Sequence, residues 1–171
     1  MFDRLVDLLI EGIHLFVFWT VLEPYEQGVL LRLGRFVRVL EPGLTWVFPF
    51  GIDHVLFESV VPRTHSLPDQ SCTTQDGRQV GFQSVITYRV RDIKTALLEV
   101  DHSEDAIKDS CTGAICHVLS QCTWDEIFKD SGVLDKVLLQ CRKRGFKYGI
   151  EILSVQFATI SLVRTLRLLN K

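Results

Sequence analysis

The chain has no apolar run long enough to be read at once as a bilayer span. Beyond Glu11 the segment Gly12 to Leu22 is apolar nearly all round. Counted from Leu8, that window is about 15 residues, or roughly 22 Å of helix against a hydrocarbon core of roughly 30 Å. A dominant charge is missing too: the net charge is -2, which gives no reason to expect nucleic acid as a partner. The five cysteines, Cys72, Cys111, Cys116, Cys122 and Cys141, are odd in number and lack a disulfide-framework spacing, so free thiols in a reducing compartment are expected. No basic leader opens the chain, because Asp3 and Asp7 stand in its place, and no small-residue cleavage site follows Leu22. The glycines are scattered at turns, which rules out a phosphate-cradling loop. Charged residues at 23% and hydrophobic ones at 47% exclude both a disordered chain and a polytopic membrane protein.

What is present starts with a helix pattern over residues 1–22. Phe2, Leu5, Val6, Leu9, Ile13, Phe16 and Val17 recur at helical spacing, with Asp3, Asp7, Glu11 and His14 on another face. A helix lying in the membrane interface is expected, with Leu9, Ile13, Phe16, Val17, Phe18 and Trp19 as its contacts. Packing of this helix on the protein's own core or on a partner is the alternative, the latter as in a particle-associated or soluble structural assembly subunit. Pro24 should end it.

The texture then turns to period two. Gly28 to Leu33 and Phe36 to Leu40 flank Gly34-Arg35 as a hairpin; Leu44 to Phe48, His54 to Val61 and Thr64 to Leu67 are further strands. Gln79 to Val90 alternates, with Val80, Phe82, Ser84, Ile86, Tyr88 and Val90 on one face. After Asp92, which can cap a short helix through Val100, the period is helical. Ser103 should cap a helix ending near Gln121 with Ile107, Cys111, Ile115 and Leu119 inward. Thr123 and Glu126 form a capping box, a helix from about Val133 stops at Gly149, and Ile150 to Ala158 forms a late strand. Residues 162–171 read as a short amphipathic helix. Strands, then helices, then a strand make the fold class α+β, with a mainly antiparallel sheet.

A family likeness rests on an ordered series of segments: Pro24-Tyr25-Glu26-Gln27-Gly28-Val29, Arg32-Leu33-Gly34-Arg35, Pro42-Gly43-Leu44, Pro49-Phe50, Arg63-Thr64, Thr73 to Gly77, Tyr88-Arg89-Val90 with Asp92, Thr123 to Ile127, and Tyr148-Gly149-Ile150. Residues 23–161 resemble an SPFH (band-7) domain of the stomatin, prohibitin and flotillin kind. The resemblance implies a membrane-anchored scaffold that assembles side by side, as a homo-oligomer or with related subunits, and that organises or regulates membrane proteins. Members usually continue into a long charged coiled coil; with 162–171 short, a cage walled by one is not expected.

No residue set for catalysis, cofactor or metal binding stands out. In Cys111-x4-Cys116-His117-x4-Cys122, five-residue steps turn successive helical side chains apart by about 140°, unlike a zinc knuckle. A hydrolase using a cysteine or a carboxylate is the alternative of another class; Glu104 and Asp105 are explained by a helix N-terminus. An acidic stretch from Asp101 to Asp130 precedes a basic one, and Arg142, Lys143, Arg144 and Lys147 are the candidate assembly surface, suited to acidic flanks of a neighbour or to anionic lipid. Arg32, Arg35 and Arg38 follow the apolar segment while only Arg4 precedes it, which orients the domain toward the cytosol.

Overall fold

A computed structural model describes residues 18–129 and 132–163. It has two compact units, one of residues 18–61 and 92–100, the other of residues 62–91 and those from 101 onward.

The first unit holds β1 (Trp19–Leu22), β2 (Glu26–Arg32), β3 (Arg35–Leu40), β4 (Gly43–Trp46) and β5 (Asp53–Ser59), with one π-helical turn at Thr95–Glu99. Two antiparallel sheets form: β1 with β4, and β3-β2-β5. The hairpin expected at Gly34 is there. Pairing of Arg32 with Arg35 leaves Leu33 and Gly34 as a two-residue loop, both left-handed at φ 49° and 78°, the conformation whose twist suits flanking strands. Leu22, Leu30 and Leu40 bury a small core lined by Val47 and Val55. Asp92 does cap the short turn, its Oδ1 accepting the amides of Lys94 and Thr95 at 3.1 and 3.3 Å.

The expected helix through Leu22 needs correcting at its C-terminal end. Trp19-Thr20-Val21-Leu22 is a strand, because aromatic and β-branched residues alternate there and β4 supplies partners for its backbone while Leu22 enters the core. The rest of that helix, with Leu9, Ile13, Phe16 and Val17, lies outside the described residues.

The second unit holds β6 (Arg63–Ser66), β7 (Gln70–Thr73), β8 (Gln79–Val90) and β9 (Ile150–Leu162), with α1 (Ser103–Ser120), α2 (Trp124–Lys129) and α3 (Gly132–Gly145). The long strand β8 is central: β6 and β7 pair with its two halves along one edge, and β9 runs antiparallel along the other. Its alternation is realised, since Val80, Phe82, Ser84, Ile86 and Tyr88 are all buried. Facing them are Ile107, Cys111, Ile115 and Leu119 of α1, each fully buried, and Val133, Val137 and Cys141 of α3. Helices covering one face of an antiparallel sheet give the α+β class.

Local signals fix most of the ends. Thr123 and Glu126 make the reciprocal box: the Thr123 amide donates to Glu126 Oε2 at 2.8 Å and the Glu126 amide to Thr123 Oγ1 at 3.4 Å. A 3-10 turn, Phe146–Tyr148, ends at Gly149, left-handed at φ 70°. At the start of α1 the cap is His102, at φ 48°, one residue before the expected Ser103. β9 outruns its expected end at Ala158 and takes Leu162 from the expected terminal helix, whose remainder from Arg164 lies outside the described residues.

Candidate functional site

In the first unit the antiparallel register sets Trp19 opposite Trp46 and Val21 opposite Leu44. Side chains alternate across a strand, so these four share one face of the β1–β4 sheet, while Leu22 and Thr45 turn to the buried side. The outer four are 50, 68, 62 and 61% exposed in that order, far above what a covered sheet face shows. The two indoles meet edge to face, with ring centroids 6.2 Å apart. Phe18, which precedes β1 and accepts the Val47 amide on its carbonyl at 2.8 Å, is exposed as well.

Beyond β4, Phe48 and Phe50 are also more than half exposed, and the turn that holds them is built by charge. Asp53 accepts Arg32 Nε and Nη2 at 2.8 and 3.1 Å and the Phe48 amide at 2.9 Å, and the Arg32 guanidinium lies 4.5 Å from the centre of the Phe48 ring. The hydrogen bonds from Arg32 hold the Asp53 carboxyl below its ordinary range against the opposing effect of burial, with the Phe48 amide adding to them. A fixed, ionised Asp53 therefore pins an apolar turn. Contiguous exposed aromatic and aliphatic surface of this kind marks a contact with lipid or protein.

Trp19, singled out from the sequence as a membrane contact, lies on the β1–β4 face, in a strand and not on a helix; Phe18, also singled out, is exposed but precedes β1 and by alternation turns to the other side. Val21, Leu44 and Trp46 were not singled out; the signal was there in Trp19-x-Val21 and Leu44-x-Trp46, two period-two pairs separated by the hairpin.

The basic candidates of the second unit divide. Arg142 donates from Nε to the Ile152 carbonyl at 2.9 Å and from Nη2 to the Leu153 carbonyl at 3.3 Å, and Arg144 donates from Nη1 to the Ser110 carbonyl at 3.0 Å. Both thus serve the fold. Lys143 and Lys147 are exposed. Three carboxylates of the acidic stretch are paired within the fold: Glu104 with Arg63 at 2.5 Å, Asp105 with Lys108 at 2.9 Å and Asp125 with Lys129 at 3.9 Å.

The five cysteines are free thiols. Cys111, Cys122 and Cys141 are buried; burial, with the neighbouring Cys116, pushes the half-buried Cys72 thiol up to about 11, and burial raises Cys116 as well, which leaves little thiolate for nucleophilic attack. Among the described residues no three His, Cys, Asp or Glu side chains gather as a metal-ligand group, and no helix is long and apolar enough to cross a membrane.

A family model described as "SPFH domain / Band 7 family" matches residues 20–167. The chain belongs to that family. Its SPFH relatives include an uncharacterized protein of Methanocaldococcus jannaschii, 28% identical over 82% of this chain and 71% of that protein. The modulator of FtsH protease HflK of Escherichia coli is 28% identical over 82% of this chain and 34% of its own length. A stomatin-like protein of Caenorhabditis elegans is 25% identical over 80% of this chain and 43% of its own. The chain thus spans less than half the length of the last two.

Proposed function

We propose that this chain is a non-enzymatic, membrane-associated SPFH scaffold, facing the cytosol, which assembles with copies of itself or with related subunits and organises or regulates membrane proteins. Family membership supports the scaffold role, and the likeness to a modulator of a protease supports the regulatory one. The observation that carries membrane association is the exposed Trp19, Val21, Leu44 and Trp46 face. Tryptophan and its apolar neighbours suit the headgroup boundary, where an amphipathic ring keeps its N–H wet and its carbons dry.

Immersing four large side chains that are already half covered contributes on the order of 4 kcal/mol, since full burial of each is worth about 1.5–3 kcal/mol. Such a surface attaches reversibly, and stable attachment takes a second signal. Leu9, Ile13, Phe16 and Val17 supply one in the sequence just ahead of β1.

Flotation with liposomes of mixed neutral and anionic lipid tests this. The full chain should float, and Trp19→Ser with Trp46→Ser should reduce the floating fraction severalfold with the circular dichroism spectrum unchanged. Undiminished flotation of the double variant would remove the β1–β4 face from the membrane contact. A full chain that stays at the bottom of the gradient would reject membrane association.

A further inference from the structure

The strands of the first unit reverse at two opposite ends, and the ends differ in chemistry. β1 turns into β2 through Glu23, Pro24 and Tyr25, and β3 turns into β4 through Glu41 and Pro42. Glu26 and Glu58 belong to the same end, since Glu26 pairs with Ser59 and Gln27 with Glu58. Carboxylates gather there. The other end holds the Leu33–Gly34 loop and the turn between β4 and β5, joined by the Leu33 amide donating to the Ile52 carbonyl at 2.8 Å. Leu33, Phe48, Phe50 and Ile52 are all exposed at this end, Leu33 at 77% and Phe50 at 60%, and Trp19 opposite Trp46 closes the β1–β4 ladder beside them. Arg32 is taken up by Asp53, whereas Arg35 stands exposed two residues after Leu33. We propose that the first unit docks end-on to an anionic bilayer, with Leu33 and Phe50 among the acyl chains and Arg35 at the headgroup phosphates. The proposal deepens the membrane part of the scaffold reading and rests on it, naming the end that enters and the charge of the surface it meets.

The backbone of the two loops supports a used tip. Leu33 and Phe50 are held at φ 49° and 61°, a left-handed conformation that glycine and asparagine take readily and larger side chains resist. Turn chemistry alone does not select leucine and phenylalanine there; a surface that takes up their side chains does. A bilayer suits the order of groups along the unit. The apolar tips come first, the indoles of Trp19 and Trp46 lie just behind them at headgroup depth, and a guanidinium beside the tips matches phosphate in charge and fork geometry. Six residue steps of β2 separate Arg32 from Glu26, so the acidic end is held about 20 Å away. That exceeds the roughly 8 Å over which salt screens the negative surface potential, and the carboxylates escape its repulsion.

Depth quenching tests this. Trp19, Trp46 and Trp124 are replaced by Phe in the full chain, and a single tryptophan is returned as Phe50→Trp at the tip or as Tyr25→Trp at the acidic end. On vesicles of phosphatidylcholine and phosphatidylglycerol with brominated acyl chains, emission from Phe50→Trp should be quenched severalfold, while Tyr25→Trp should keep its emission in buffer. Vesicles of phosphatidylcholine alone should quench Phe50→Trp far less, and adding Arg35→Glu should erase that difference. Leu33→Asn with Phe50→Asn suits the left-handed turns, so the circular dichroism spectrum should hold while quenching of Trp46, kept as the single tryptophan, drops severalfold. A chain that floats with vesicles yet is quenched equally at the two positions, or whose Trp46 is indifferent to the asparagines, would overturn end-on docking and leave membrane association standing. A preference for anionic vesicles that survives Arg35→Glu would overturn the phosphate contact assigned to Arg35. A chain that floats with neither kind of vesicle would overturn docking and membrane association together.

Discussion

Arg142 reaches across ten residues to the Ile152 carbonyl at 2.9 Å, tying the end of α3 to the start of β9. This fixes what charge substitution in the basic stretch can report. Arg142→Gln should lower the unfolding free energy by about 1 kcal/mol, the modest value of hydrogen bonds partly open to water. Reversal of Lys143 and Lys147 to Glu should stay within about 0.5 kcal/mol of the parent. Urea titration of both variants checks this, and only the lysine pair is suited to probing charged assembly.

Gly145 packs closely against β9. A Cβ added there would stand 2.8 Å from the Ile150 carbonyl and 3.3 Å from Ile152 Cγ1, and the nearer contact is backbone that cannot swing away. Gly145→Ala should therefore cost about 1–3 kcal/mol, the range for overpacking, despite the better helix propensity of alanine. A rise in the urea midpoint would contradict this contact.

Asp53, Asp76, Glu104 and Asp105 all have pKa values held below the ordinary one, so stability should fall in acid, and Asp53 and Glu104 illustrate the cause. Arg32 holds Asp53 low; burial acts to raise Glu104, but hydrogen bonds from Tyr88 and Arg63 outweigh it and bring its pKa below the ordinary value. A folded-state pKa below the unfolded one gives stabilisation that is complete above the unfolded value and lost as pH falls through the folded one. The urea midpoint should thus change little from neutrality down to about pH 5 on account of these groups and decline below it. Glu104→Gln should make that decline shallower.

Ser84 places its hydroxyl in the core under α1 with no hydrogen-bond partner among the described residues. An unsatisfied buried hydroxyl costs on the order of 1–3 kcal/mol, so Ser84→Ala should be neutral or stabilising, which a thermal melt would show.

The second unit was largely legible because its signals are long. Twelve residues of β8 alternate, and α1 repeats its apolar positions over eighteen, lengths at which the two periods separate cleanly. β1 was hidden because Trp19 to Leu22 continues an apolar stretch, and a short apolar run has no period of its own; its partner β4 lies beyond an intervening hairpin. β7, Gln-Ser-Cys-Thr, shows no alternation and exists because β8 offers it a ladder. Arg142 and Arg144 looked like surface charge, since nothing in Arg-Lys-Arg reveals carbonyl partners that tertiary packing brings up. The exposed aromatic face was half legible, with Trp19 found and Trp46 missed for want of the register that joins them.

The position of β8 has a consequence for how the second unit opens. Among the described strands, β6 and β7 pair with β8 alone, and so does β9, so none of the three has another of them to hold on to. Release of β8 dissolves the whole sheet at once, whereas loss of β6 or β7 leaves the β8–β9 ladder standing. Amide protons in the middle of β8 should accordingly exchange with solvent only when the entire unit unfolds, and their exchange rates should track its global stability in every variant above.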